Sequence, residues 1–375
     1  MSKSLPHKLA KQDNGTVGGE FIKFSKKLPF TQKERIVFYG LVRFPELNDQ
    51  KLSKELKIKR PTVTAIRNKL RRQDFYSPYI IPNFKLLGYE LMSFIWGESS
   101  LPIPLEEKME IPAVKKAMQS PENVFQIITE NEFFSFLVFK NFTEFKKMQD
   151  EQAHVYEKYS AKERNVNIVH FPFETSETPS LFDYSPLLKQ LFKLKFEEEK
   201  AVPKPKTPIQ LKEREKVVLG ALIKYPELND VEIAKKINIT RQTASKIKSE
   251  LIKQGAIRLI NEPNFKKIGC ELFVNMHIRF NPWIDLDKRR LLLEKAKTKC
   301  PVIFDVESRA EEVYAGLFED YLSFKIMQDE LAKIYGRNDL LLREPITQII
   351  PVQQIKFYRT NFVSITERAL NIKIP

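Results

Sequence analysis

A stretch of this sequence occurs twice, and that repetition constrains the fold more than any other feature. Residues 45–49 read PELND, and the same letters return at residues 226–230, 181 positions later. The register then holds without a gap to Gly88 and Gly269, a span of more than forty residues in each copy. Chance does not produce agreement of this length. The sequence therefore predicts an internal duplication, with one structural unit present twice.

Each copy begins with the pattern of a helix-turn-helix. In the first copy, apolar residues at helical spacing predict helices over 30–44, 49–56 and 61–73. Thr31 suits the N-cap of the first helix, and Pro61 suits the first turn of the third, where a missing N–H leaves no hydrogen bond unmade. Residues 76–82 are rich in aromatic and β-branched types and predict a strand. Helix, helix-turn-helix and strand together are the order of a winged helix.

Beyond Gly88, both copies predict the order β-α-β-β-α-β, which is that of a ferredoxin-like sandwich. In the first copy the predicted elements are strand 90–96, helix 105–118, strands 124–129 and 133–139, helix 143–159 and strand 166–171. In the second copy they are strand 271–280, helix 287–297, strands 302–306 and 313–318, helix 321–335 and strand 346–352.

These patterns predict an α+β fold in which two winged helix-turn-helix domains alternate with two ferredoxin-like β-α-β-β-α-β sandwiches. The predicted boundaries are a flexible basic arm at 1–28, a winged helix at 29–84, a sandwich at 85–180, a helix with a proline-rich charged linker at 181–208, a second winged helix at 209–265 and a second sandwich at 266–375. The linker is predicted from Pro203, Pro205 and Pro208 within a charged run.

Charge and composition restrict the class of partner and the compartment. The net charge of +15 favours a polyanionic partner, with nucleic acid first and an anionic membrane surface second. A merely solvated basic surface is the competing interpretation. No uninterrupted apolar run approaches 18 residues, and residues 1–28 lack the apolar segment of a signal peptide. We therefore expect a cytoplasmic protein without a membrane span, with Cys270 and Cys300 as reduced thiols.

The third helix of the first copy combines an apolar stripe with a basic face. Val63, Ile66 and Leu70 recur at three- and four-residue spacing and are predicted to be buried, which turns the remaining positions outward. A helix fits the major groove of B-DNA, where Arg can donate two hydrogen bonds to guanine and Asn can pair with adenine. We assign Arg60, Thr62, Thr64 and Arg67 to base contact, Lys57, Lys59, Arg71 and Arg72 to phosphate contact, and an outward position to Asn68.

The corresponding helix of the second copy follows the same scheme. Thr240 is its predicted N-cap, and Ala244, Ile247 and Leu251 are predicted to face the core. The residues assigned to DNA contact are Arg241, Gln242, Thr243, Ser245, Lys246 and Lys248. The two helices differ at three paired positions, Pro61/Gln242, Ala65/Lys246 and Asn68/Ser249, so we expect the two copies to prefer different half-sites.

Other chemistry has little support in the sequence. The histidines His7, His154, His170 and His277 lack the spacing of a metal site, and no glycine-rich phosphate loop is present. We therefore expect no catalytic residue, no metal and no cofactor, and hence no enzyme. Five glutamates, Glu130, Glu132, Glu307, Glu311 and Glu312, could bind a cationic ligand, but we interpret them as surface residues of hairpins.

The segments IKRPTVTAIRNKL (58–70), INITRQTASKIKSEL (237–251) and GAIRLINEPNFKKIG (255–269) resemble the Lrp/AsnC family of regulators. The resemblance implies DNA-binding transcription regulation, often tuned by amino acids, and dimerisation through the sandwich sheets. This chain departs from the family by carrying two units in tandem, so that one polypeptide could form the dimer internally. It also lacks the family's G-x-Y-D turn, where residues 130–133 read ENEF and 309–312 read RAEE.

The sequence thus predicts an archaeal-type transcription regulator whose partner is double-stranded DNA. Association of the internal pseudo-dimers into a homo-oligomer, and contact with the basal transcription machinery, are left open. One alternative is a docking adaptor of the transcription or replication machinery that uses the winged helices as protein-binding faces. A minor alternative is an enzyme similar to the siroheme decarboxylases, which share the two-part architecture, although their His- and Arg-rich substrate-binding stretches are not found here.

Overall fold

The computed structural model describes residues 29–98, 103–158, 164–195, 210–297 and 300–374. The predicted arm at 1–28 and the predicted linker at 197–208 lie outside these residues. The first half of the chain contains α1 Gln32–Arg43, α2 Asp49–Glu55, α3 Arg60–Arg72, β1 Tyr76–Pro82, β2 Leu91–Glu98, α4 Leu105–Glu110, α5 Pro112–Met118, β3 Asn123–Ile128, β4 Glu132–Phe139, α6 Phe142–Lys158, β5 Arg164–Pro172, β6 Glu177–Leu181 and α7 Ser185–Leu191.

The second half repeats this order of elements. It contains α8 Glu213–Lys224, α9 Asp230–Lys236, α10 Arg241–Lys253, β7 Ile257–Pro263, β8 Leu272–Phe280, α11 Leu286–Lys297, β9 Val302–Glu307, β10 Glu311–Phe318, α12 Tyr321–Asn338, β11 Leu341–Pro351, a 3₁₀ turn Val352–Gln354, β12 Phe357–Thr360 and α13 Val363–Leu370. The predicted α+β fold, with winged helices and ferredoxin-like sheets in alternation, is confirmed.

Local signals in the sequence fix where the elements of each winged helix begin and turn. Thr31 caps α1 through a capping box with Glu34, and Asn48 caps α2 by accepting a hydrogen bond from the Lys51 N–H at 3.0 Å. After each strand of the winged helices the chain turns at Gly88 and Gly269, with φ of 81° and 85°. These positive angles favour glycine, which explains why both copies carry it at the same place.

Strands β1 and β7 pair with each other, so they form a ribbon between the two winged helices. The pairing is antiparallel and symmetric in the repeat, since Tyr76 lies opposite Pro263 and Pro82 lies opposite Ile257. Each strand directly follows the last helix of its helix-turn-helix, α3 or α10, called here the recognition helix. The ribbon therefore relates α3 and α10 by an approximate twofold axis near Tyr79 and Ile260.

The two sandwich sheets exchange their outer strands. The first sheet has the order β12-β3-β4-β2-β5, and the second has the order β11-β8-β10-β9-β6. In each, four consecutive strands of one half take the ferredoxin-like order, and the fifth strand comes from the other half. Strand β12 extends the first sheet by pairing with β3, and β6 extends the second by pairing with β9.

The two sheets pack face to face through phenylalanine rings. Phe125 and Phe304 have ring centroids 4.9 Å apart, and those of Phe134 and Phe273 are 5.0 Å apart. All four side chains are fully buried. Edge-to-face and tilted aromatic pairs contribute roughly 0.5–1.5 kcal/mol each beyond the burial of their apolar area, so this layer holds the two halves together.

Two predictions of secondary structure were wrong in detail, and two elements were not predicted. The predicted helix 105–118 is two helices, α4 and α5, because Pro112 places Ile111 in an extended conformation and ends α4. The helix predicted after residue 180 is only the seven-residue α7, preceded by strand β6. Strand β12 and helix α13 were not predicted, since four residues of strand carry too little periodicity to recognise.

Two of the glutamates interpreted as surface residues are buried, which corrects that interpretation. Glu307 and Glu312 are 3% and 1% exposed. Glu307 binds Arg290, with an Nε–Oε1 distance of 2.7 Å, and Arg289 at 3.3 Å. Glu312 binds Lys297 at 2.9 Å. Burial of a carboxylate requires such partners, so these residues form an internal ionic cluster between α11 and the second sheet.

Candidate nucleic-acid interface

The buried and exposed faces of α3 divide largely as its pattern predicts. Val63, Ile66 and Leu70 are buried against the core of the winged helix. Six of the nine residues assigned to DNA contact in this copy are exposed: Lys57, Lys59, Arg60, Asn68, Arg71 and Arg72. Since Lys57 and Lys59 precede the helix and Arg71 and Arg72 end it, positive charge borders the helix at both ends.

The other three assigned residues, Thr62, Thr64 and Arg67, are partly buried, which corrects the expectation that they point freely outward. Arg67 donates from Nε to Asp49 Oδ1 at 2.6 Å and from Nη2 to the Leu47 carbonyl at 3.2 Å. Thr64 donates to the other oxygen of Asp49 at 2.6 Å. These bonds fasten α3 to the start of α2. Base contact by Arg67 and Thr64 stays a prediction, but their present partners lie within the protein.

The same fastening occurs in the second copy. Lys248, the counterpart of Arg67, binds Asp230, the counterpart of Asp49, at 3.2 Å. Sequence reasoning missed both aspartates, although each ends the repeated PELND motif, and that repetition was the available signal. An aspartate at the first position of α2 or α9 also favours the helix dipole there, which adds to its stabilising role.

The exposed set on α10 is smaller than on α3. Arg241, Gln242 and Lys246 are exposed, whereas Thr243, Ser245 and Lys248 are partly buried. Thr240 is confirmed as the N-cap, with its side chain accepting from the Thr243 N–H at 3.2 Å. Ala244 and Leu251 are buried as predicted, and Ile247 packs against the core while staying partly exposed. The two recognition helices are thus alike in placement and unequal in positive charge.

Contacts across the ribbon fix the two recognition helices relative to each other. The Asn83 side chain donates to the Gly255 carbonyl at 3.1 Å, and the Asn264 N–H donates to the Phe75 carbonyl at 2.8 Å. Lys267 donates to the carbonyl of Gln73, which follows α3, at 2.7 Å. Each copy therefore contacts the residues that follow the recognition helix of the other.

A buried carboxyl group joins the ribbon to the sandwiches. Glu262 of β7 is 5% exposed and accepts hydrogen bonds from Tyr184 Oη at 2.7 Å and from Thr360 Oγ1 at 2.9 Å. Burial raises its pKa to about 7, against the opposing effect of these hydrogen bonds. Sequence reasoning missed this residue, and β7 gave little signal for it, because Arg258 and Asn261 of the same strand are also polar.

We predict that Glu262→Gln changes how the stability of the protein depends on pH. A folded-state pKa above the unfolded value gives stability that is complete at low pH and is lost as the pH rises through about 7. Glutamine cannot titrate, so the stability of the variant relative to wild type should rise by up to about 3 kcal/mol between pH 5 and pH 8. Denaturant unfolding at both pH values measures this difference. If the free energy of unfolding changed with pH in the same way for the two proteins, the prediction would be contradicted.

Other reactive groups are sparse in the part of the chain that the structure describes. Within it, no three His, Cys, Asp or Glu side chains are placed to hold a metal ion, and no helix is long and apolar enough to cross a bilayer. His277 pairs with Glu311 at 2.9 Å, and its ring meets the Trp96 ring in an edge-to-face contact with centroids 5.8 Å apart. Cys270 and Cys300 are buried and form no disulfide, and burial raises the pKa of the Cys300 thiol to about 11.

The fold has counterparts among solved structures, although the chain matches no family model and no curated protein sequence. A siroheme decarboxylase in complex with an iron-uroporphyrin III analogue superposes with a TM-score of 0.51 at 11% identity, over 91% of this chain and 97% of that one. An AsnC family transcriptional regulator from Agrobacterium tumefaciens (TM-score 0.32, 13% identity) covers 39% of this chain and 94% of its own. A transcriptional regulator from Neisseria meningitidis in complex with L-Met (0.33, 14%) covers 40% and 96%.

These similarities differ in extent. The decarboxylase spans nearly the whole chain, and at this identity the likeness establishes a shared fold and nothing about the reaction. Each regulator spans less than half of the chain. The fold is therefore shared with an enzyme, and the function of this chain has to be argued from its own residues.

Proposed function

We propose that this chain is a sequence-specific DNA-binding transcriptional regulator that acts as an internal pseudo-dimer produced by duplication of one unit. The observation that supports this most directly is the pair of recognition helices, α3 and α10, held on one antiparallel ribbon. The exposed cations on and beside them supply charge for phosphate contact. Two helices related by a twofold axis suit adjacent major-groove segments about 34 Å apart.

The proposed operator is asymmetric. Arg60 and Arg241 are both exposed at the first position of their helices, which supports a common mode of docking. Asn68 and Ser249 are both exposed but offer different hydrogen-bonding groups. Five exposed cations lie on or just before α3 (Lys57, Lys59, Arg60, Arg71 and Arg72), and three lie on α10 (Arg241, Lys246 and Lys253). We therefore infer that the first copy contributes more of the affinity. We expect footprinting of the protein on its operator to show two half-sites that are protected unequally.

The alternative of a tetrapyrrole enzyme has less support from the residues present. A cavity of about 460 Å³ lies in the first sandwich, and the charged residues that line it are Lys108, Glu130 and Asp150. A substrate with several carboxylates would need several cations, whereas this lining has two acids to one base. We therefore infer no decarboxylase role. Isolation of the protein with a coloured bound tetrapyrrole would contradict this inference.

The proposal predicts steeply salt-dependent binding to duplex DNA. If about six phosphates are contacted, the logarithm of the association constant should fall with the logarithm of salt concentration at a slope of about −5. Affinity would then drop about 10³-fold between 50 and 200 mM salt. Fluorescence anisotropy with a labelled genomic fragment, selected by crosslinking of the full chain to DNA, measures the slope. Absence of binding at 50 mM salt would refute the proposal and favour a protein-docking role.

A further inference from the structure

A cavity of about 460 Å³ lies between the outer face of the first sheet and helices α4, α5 and α6. This face of the sheet points away from the phenylalanine layer that joins the two sheets. Apolar side chains form much of the wall, among them Ile95, Met118, Ile128, Phe133, Leu137 and Met148. The volume lies in the range of pockets that hold small organic molecules.

Two buried amide side chains line this cavity with unsatisfied acceptors. Asn123 and Gln126 of β3 are 2% and 7% exposed, and neither Asn123 Oδ1 nor Gln126 Oε1 has a hydrogen-bond partner. Gln126 Nε2 donates to Ser135 Oγ at 3.1 Å, which orients the amide. A buried acceptor without a partner costs about 1–3 kcal/mol, so a ligand that donates a hydrogen bond here would be favoured.

The charges at the cavity do not favour an anion. Lys108 is buried, and its Nζ already donates to the Glu130 carbonyl at 2.9 Å. The Glu130 carboxylate accepts from the Leu105 N–H at 2.8 Å and lies 3.4 Å from Lys356 Nζ. Because Lys108 and Glu130 already have partners and Asp150 is exposed, the buried unsatisfied groups at the cavity are the two neutral amide oxygens.

The corresponding place in the second sandwich carries different residues. The positions of Gln126 and Ser135 correspond to Asp305 and Tyr314, at the offset that relates Phe145 to Phe324. Asp305 binds Lys297 at 3.0 Å, and Tyr314 Oη contacts Met327 Sδ at 3.7 Å. In the second sandwich Asp305 is paired within the protein, whereas in the first sandwich the amide oxygens of Asn123 and Gln126 have no hydrogen-bond partner.

We propose that the cavity of the first sandwich is a binding site for an uncharged, largely apolar small molecule that carries an N–H or O–H donor. The apolar wall takes the body of the molecule, and its donor binds Gln126 Oε1 or Asn123 Oδ1. This site goes beyond the proposed function and does not depend on it.

Indole and benzofuran test the proposal, because they share size and shape but only indole carries an N–H donor. Calorimetry with the full chain, in the absence of DNA, should show that indole binds at least about tenfold more tightly than benzofuran. Gln126→Leu should reduce this ratio severalfold. Ala117→Phe, which places a ring in the cavity wall, should abolish binding of both compounds, and the matched exposed variant Lys115→Phe should leave it unchanged.

Three results would overturn the proposal. They are equal affinity for the two compounds, unchanged indole binding by Ala117→Phe, and no indole binding by the wild-type chain at millimolar concentration. Circular dichroism of each variant separates loss of the site from loss of the fold. Since no step involves DNA, failure of the DNA-binding proposal leaves this result unaffected, and the reverse also holds.

Discussion

Replacing Arg60, Arg71 and Arg72 together with glutamine should weaken binding to duplex DNA by about 100-fold or more at 100 mM salt. All three side chains are exposed at the ends of α3. Contacts of this kind contribute roughly 1 kcal/mol or more each, so three of them account for at least a hundredfold change. The salt slope should also become shallower by about two to three. Arg67 is left unchanged because it binds Asp49 within the protein.

The matched control for this variant removes the same charge elsewhere. Lys115, Lys147 and Lys333 are exposed on helices of the two sandwiches, away from the winged helices. Their joint replacement by glutamine should change affinity only severalfold, through the general field of the protein. Equal losses in the two triple variants would indicate nonspecific attraction by net charge. Unchanged affinity in the α3 triple would show that this helix does not face DNA.

Replacing Lys297 with methionine should destabilise the protein by about 3–5 kcal/mol. Lys297 lies 3.0 Å from Asp305 and 2.9 Å from Glu312, and both carboxylates are buried. Removal of one partner from a buried ion pair leaves uncompensated charge in a medium of low polarity, which is the source of the loss. Denaturant unfolding of the variant and the wild type measures it.

The pH dependence of this loss gives a second measurement. Burial raises the pKa of Glu312 to about 7 even with Lys297 present, and loss of that cation would raise it further. The variant should therefore be least stable near pH 8 and recover part of the loss near pH 5, where the carboxyl group is protonated. The triple variant Lys297→Met, Asp305→Asn, Glu312→Gln should regain most of the stability. A loss below about 1 kcal/mol in the single variant would contradict the ionic role of this cluster.

The sequence predicted those parts of the fold that depend on local pattern. The spacing of Val63, Ile66 and Leu70 predicted the buried face of α3, and the N-caps Thr31 and Thr240 were correctly placed. Each of these features depends on residues within about two helical turns, so periodicity and capping chemistry suffice.

Contacts between distant segments could not be predicted in the same way. The ion pair of Arg67 with Asp49 depends on how α3 packs against α2. The sequence pattern showed only that Arg67 lies off the buried face of α3, and on that basis it was assigned to DNA contact. From the sequence, Glu312 has the features of a hairpin surface residue. Its burial follows from the packing of α11, which places Lys297 within 2.9 Å of the carboxylate. The cavity with Gln126 depends on how three helices cover one sheet, which no pattern within β3 records.

The exchange of β6 and β12 also bears on how this protein avoids aggregation. Without them, the edges of β3 and β9 would present unpaired backbone groups to any other extended chain. The strands that cover these edges are short, with five and four residues. Pro179 within β6 lacks an N–H for further pairing, and Arg359 within β12 adds charge. Each half of the chain thus ends the sheet of the other in a form that discourages addition of a further strand.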